Sequence, residues 1–389
     1  MALLTLNSAA ALRPSAQRGF FKLTLLSAAL MASVGVVQAA PEVANSVKVD
    51  ENVYEIAFNS GDQAVYVAIT GERVKEGESK EGKVKAGIVV LDGDTLKQVN
   101  KIATGQVTPF GLAINNQSQK LYAIDTPKGQ VAVYDMESGK ELALIESTGD
   151  ESKHLRQAVI DEKNNKIYVS AVGGMERDGK VGPKSAVWVI DGANDKLESV
   201  IIAPVTTAAG LALDLEQQRL YVSDLSKNEI AEVDLNTQKV LRTFVSAEPS
   251  KDGSADASNT INLELDAKNQ ILYAINQKSG GVALIDLKDG NILKTVKTGS
   301  GALSAALNPK SGDLYVANRG DGTVSVIDGK THFVTAHLST GIHPQTVTVD
   351  PKTGKVYVSN KAKGKGRGAG PEVPTPVEAT GNTVTLITP

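Results

Sequence analysis

Cysteine is absent from the 389 residues, which rules out disulfides, thiolate nucleophiles and cysteine-bound metals. Histidine is scarce. His154, His332, His337 and His343 are the full set, and none of them pair at a metal-ligand spacing such as i, i+4 on a helix. Neither a Gly-x-Ser-x-Gly elbow nor a phosphate-binding loop occurs in a strand–helix setting. Beyond the first 39 residues no long stretch has a convincing helical period. Only one long apolar run exists, from Leu23 to Val37. At about 15 residues it is short of the ~20 that a membrane span needs.

That run has a particular setting. Arg13, Arg18 and Lys22 precede it without any Asp or Glu, and Val37-Gln38-Ala39-Ala40 follows it. Basic, apolar and small-residue segments in that order are expected to form a secretory signal. Pro41 disfavours cleavage after Ala40, so residues 1–39 are read as the leader and residues 40–389 as the mature domain. The whole chain holds 41 basic and 44 acidic residues. Without the leader 38 and 44 remain, a net charge of −6. Such a chain has no globally basic surface, so any nucleic-acid binding must use a local patch.

What is present is a repeat. An apolar-x-apolar step, Asp or Asn, a short polar turn, apolar-Tyr-(Val/Ala), a loop, alternating apolar residues and Asp recur seven times. The tyrosines are Tyr66, Tyr122, Tyr168, Tyr221, Tyr273, Tyr315 and Tyr357, spaced by 42 to 56 residues. Asn59, Asn115, Asp161, Asp214, Asp266, Asn308 and Asp350 precede the turns. Asp92, Asp135, Asp191, Asp234, Asp286 and Asp328 close the third segment in six copies. Period-two alternation, clear in Thr323-Val324-Ser325-Val326-Ile327-Asp328, makes the segments strands. Four strands per copy give an all-β, seven-bladed β-propeller. The recurring Tyr is expected to pack between blades, and the recurring Asp to accept bonds from the turn after it. The last copy ends after its third strand, Thr383 to Thr388. Val43 to Val49 is the unassigned extended piece that can complete the blade, close the ring and hide two sheet edges.

Propeller connections sort onto two faces. The A–B turns here are short and alike. All the long insertions, 70–86, 147–155, 172–185, 246–260 and 361–381, fall on the opposite face, which is expected to carry function. Together they hold 14 basic and 13 acidic residues. One stretch is locally basic, with Lys361, Lys363, Lys365 and Arg367 spaced by small residues, and it suits phosphates. Alignment of the copies places Tyr54, Phe110, Arg156, Ala209, Ile261, Leu303 and Gln345 at one rim position of the channel. His154 and His343 lie two residues before Arg156 and Gln345. Aromatic rings beside an Arg suit stacking on unpaired bases.

Tyr315-Val316-Ala317-Asn318 with Gly322-Thr323-Val324-Ser325-Val326-Ile327-Asp328 is similar to the YVTN-type propeller repeat. Pro109-Phe110-Gly111, Ala186-Val187-Trp188-Val189-Ile190-Asp191-Gly192 and His343-Pro344 extend the likeness. Through them the mature chain resembles the YncE-like family of periplasmic seven-bladed propellers. The resemblance implies a periplasmic location, single-stranded DNA binding on the loop-rich face without catalysis, and expression linked to iron limitation. The chain departs from that family in longer first and third B–C loops and in its Gly- and Lys-rich last loop.

No cofactor is expected, and a monomer is. Trp188 is the only tryptophan, against a quinone-dependent propeller, which repeats tryptophans in its blades. His332 and His337 are expected on one D strand at a blade rim. Two alternatives stand beside nucleic-acid binding. One is a scaffold for a periplasmic protein partner. The other is a metal-dependent, lactonase-like hydrolase, for which Glu55, Asn262 and Glu264 lie near enough to strand A to hold Ca²⁺.

Overall fold

The computed structural model describes residues 40–50, 52–72, 85–174, 176–177, 179–248, 258–364 and 376–389. The expected leader, most of the first B–C loop, Lys365 and Arg367 lie outside the described residues. The rest is strand and turn. Seven four-stranded antiparallel sheets form the seven blades, and one two-stranded hairpin, Glu176–Arg177 with Lys180–Val181, projects from the third. Strand A lines the centre. Its seven copies are Val53–Asn59, Gly111–Asn115, Leu155–Asp161, Ala208–Asp214, Thr260–Asp266, Ala302–Leu307 and Pro344–Val349.

Burial explains the pattern of each strand. The middle strands B and C are covered by the adjoining blades on both faces, so Ala64–Ile69 and Ile271–Asn276 are buried at every position. Strand D is the outer edge and alternates between half-buried and exposed, as Val334–Ser339 does. The core is correspondingly divided into seven apolar clusters, each shared by two neighbouring blades. Every repeat tyrosine belongs to the cluster between its own blade and the next. Tyr66 packs with Leu112 and Tyr134 of blade 2, for example, and Tyr357 with Val65 and Leu91 of blade 1.

The repeat Asp and Asn side chains act on the turns. In all seven A–B turns the Oδ1 of that residue accepts one or two backbone N–H groups from the next three residues. The fifth residue of the same unit has positive φ in every blade: Gln63, Gln119, Asn165, Gln218, Gln270, Gly312 and Gly354. Only the last two are glycines, the residue for which that conformation costs least. The Asp closing strand C caps the C–D turn likewise, as in Thr95 N to Asp92 Oδ1 at 2.8 Å.

The ring closes through the chain ends. Strand Glu42–Lys48 pairs antiparallel with Thr383–Thr388, so blade 7 holds three C-terminal strands and one N-terminal strand. Across the closing interface Phe58 stacks on Tyr357 with centroids 5.3 Å apart. The Tyr357 hydroxyl donates to the Gly93 carbonyl at 2.9 Å. One expectation needs correction: His337 is on strand D of blade 6, but His332 sits in the turn before it, with φ of 54°.

Candidate ligand site at the channel mouth

Six of the seven A strands carry a register shift near their first residue, between Val53 and Ile56 in blade 1 and between Leu155 and Ala158 in blade 3, for example. A bulge bends the strand and re-aims a side chain. Here it brings the first residues of strand A to the top of a central cavity of about 780 Å³. Tyr54, Phe110, Arg156, Leu303 and Gln345 line it, as does His154. Ala209 and Ile261 do not. Ala209 is buried and Ile261 half-buried, where the strands of blades 4 and 5 approach closely: a Cβ on Gly210 would lie 2.6 Å from the Asn262 Cα.

Tyr54 and Phe110 meet edge to face, with centroids 4.9 Å apart and planes at 74°. The Lys361 ammonium lies 4.3 Å from the Tyr54 ring centroid, a cation–π contact. Lys361 comes from the start of the last B–C loop, and its N–H donates to the His343 carbonyl at 3.0 Å. Burial, with Arg319 as a second cause, pushes its pKa down to about 8. No carboxylate among the described residues offsets that. Burial, Arg319 and Lys363 also hold His343 below the ordinary imidazole value, and its Nδ1 is buried without a partner among the described residues. Its φ of 46° is unusual for a residue with a side chain. Lys363 is exposed and faces Glu378 at 3.8 Å. Arg319, His343 and Lys363 also line a shallower cavity of about 540 Å³ between blades 6 and 7.

On the channel wall Arg156 donates through Nη1 to Asn262 Oδ1 at 2.9 Å, joining blade 3 to blade 5 past blade 4. Asn262 Nδ2 in turn donates to the Leu303 carbonyl at 2.7 Å. Burial pushes the Glu55 carboxyl up to about 7, opposed by Arg156 and a hydrogen bond with Thr346. Burial does the same to Glu264, opposed by the Leu307 N–H. Glu55, Asn262 and Glu264 thus share the channel wall, but among the described residues no group of three His, Cys, Asp or Glu side chains is arranged to hold a metal ion.

A protein of Escherichia coli K12 named YncE, itself described as uncharacterized, is 30% identical over 279 residues, covering 70% of this chain and 72% of the relative. The chain belongs to the YncE family. The YncE of Salmonella typhimurium LT2 is 29% identical over the same length and shares of each chain. No protein-family profile matches the sequence.

In this member of the YncE family the structure gathers Tyr54, Phe110, Arg156, His343, Gln345, Lys361 and Lys363 on one face. Tyr54, Phe110, Arg156 and Gln345 surround the channel, and His343 and the two lysines lie beside it. Sequence reasoning passed over Arg319, whose charge acts on Tyr54, His343 and Lys361. It follows strand B of blade 6, Leu314–Asn318, in a short B–C connection. A rule that looked at every top-face connection, and not only the long ones, would have found it.

Proposed function

We propose that this protein is an exported, periplasmic binding protein whose loop-rich face takes an anionic ligand at the channel mouth, single-stranded DNA in the first instance, without catalysis. The observation that carries the reading is the pairing of like charges beside aromatic rings. Lys361 and Arg319 press on each other at a half-buried site, each disfavouring the other's charge, with the Tyr54–Phe110 pair against them. A phosphate would relieve that repulsion through charge-assisted bonds. Lys361 would then exchange the Tyr54 ring for the phosphate, leaving aromatic surface for a base. The family resemblance points to the same ligand class, and the leader pattern of residues 1–39 supports the location.

Fluorescence anisotropy with a labelled single-stranded oligonucleotide tests this. Phe110→Ala should cost about 1–3 kcal/mol, the range for losing one stacked base. Lys361→Ala and Arg319→Ala should each weaken binding and flatten its salt dependence, by a slope of roughly 0.7 for every phosphate no longer neutralised. Affinity indifferent to salt, equal preference for duplex, or wild-type binding by all three variants would reject the site. Retention of one periplasmic protein at high salt, with no oligonucleotide bound, would favour the scaffold instead.

A further inference from the structure

The cavity at the mouth also carries two carboxyls on its A strands, opposite in sign to the lysine and arginine beside it. The titratable side chains on its wall are Tyr54, Glu55, His154, Arg156 and Glu264. Glu55 belongs to blade 1 and Glu264 to blade 5, so the two carboxyls come from nearly opposite sides of a seven-membered ring. Arg156 spends one of its donors on Asn262. Glu264 receives a single backbone N–H, from Leu307 at 3.2 Å. Gln345 is only 8% exposed and lines the same cavity, yet its Oε1 has no donor among the described residues. That oxygen is a buried acceptor on this wall without a donor among them. A buried acceptor left without a donor costs free energy that a ligand can recover. With both carboxyls ionised, Glu55, Glu264 and Arg156 sum to a formal charge of one negative.

A metal ion does not fit this set. Asn262 already gives its Oδ1 to a guanidinium, and that guanidinium would repel a dication. An organic monocation does fit, since it balances the charge and brings several donors. We infer that the carboxyl-bearing wall of this cavity, which shares Tyr54, Arg156 and Gln345 with the mouth, is a second site, for a small organic amine carrying one ammonium group and at least one further O–H or N–H donor. A cavity of about 780 Å³ is of the size that small-molecule sites have. The upward displacement of Glu55 and Glu264 toward neutrality agrees with this, because burial outweighs Arg156 and Thr346 at Glu55 and the Leu307 N–H at Glu264, and a bound ammonium would supply the rest.

The probes are 4-aminobutan-1-ol and its uncharged isostere butane-1,4-diol, titrated calorimetrically into the mature protein at pH 6 and pH 8. The amino alcohol should bind, and should tighten about tenfold between the two pH values. A carboxyl titrating near 7 goes from roughly one-tenth to nine-tenths ionised over that interval. The diol should bind at least about tenfold more weakly at pH 8. Glu55→Gln and Glu264→Gln should each weaken the amine and flatten its pH dependence. Their melting midpoints at pH 8 should match or exceed the wild type, because each removes a buried carboxylate, and this certifies the fold. Gln345→Ala should weaken both probes. Equal binding of the two probes, binding of neither, or amine binding untouched by pH and by both Gln variants would overturn the inference.

Discussion

Asp214 is fully buried, yet Glu216 and Gln217 both donate backbone N–H groups to its Oδ1. Removing the carboxylate leaves two turn donors unsatisfied at the inner end of blade 4. Asp214→Ala should therefore lower stability by about 1–3 kcal/mol, measured by chemical denaturation, and Asp214→Asn by distinctly less. Equal loss in both variants would mean that the charge, and not the capping bond, is what matters. The same residue class was legible in the sequence because a polar acceptor at a fixed offset in seven copies has few other uses. The C–D turns agree: hydrogen bonds from Thr95, Ser138, Thr237 and Thr331 hold the carboxyls of Asp92, Asp135, Asp234 and Asp328 below the usual carboxylate value. The positive φ of Gln63, Gln119, Gln218 and Gln270 was not legible. Glutamine has no preference for that region, so the ladder on either side imposes it.

At the scale of the strand, the N-terminal segment is the instructive one. Glu42–Lys48 is almost wholly exposed, so it contributes little buried area and mainly a ladder of hydrogen bonds. Without it Thr383–Thr388 would be left as an unpaired edge. Deleting residues 42–48 from the mature protein removes six paired positions. At about 0.5–1.5 kcal/mol net per hydrogen bond, the melting midpoint should fall by roughly 5 °C or more in a thermal scan. An unchanged midpoint would show that the apolar cluster around Tyr357 holds the ring shut alone. The pairing was readable because the last repeat was one strand short and the first had one to spare. The bulges at the start of strand A were hidden, since one extra residue in a short period-two run looks like an ordinary irregularity until its partner is known.

For the whole molecule, the ring was legible from seven tyrosines, but only part of the candidate site was. Alignment of repeats brought out Tyr54, Phe110, Arg156 and Gln345 as equivalent, and the ring places them around one cavity. It could not tell that Ala209 would be buried and Ile261 would lie off the cavity, beside a close approach of blades 4 and 5 at Gly210. Nor could it show Lys361 over Tyr54, a contact between residues 307 positions apart that exists only once the circle is shut. Closure also fixes how the protein bears mechanical load. Glu42 pairs with Thr388, so the two ends of the chain leave blade 7 at the same corner of the sheet. Traction applied to both termini would act on one hydrogen bond at a time, as a zipper is drawn, and not on the whole ladder in shear. In an optical trap, this otherwise uninterrupted circle should come apart first at its seam, at a force well below that required by the six blades built from a single run of chain.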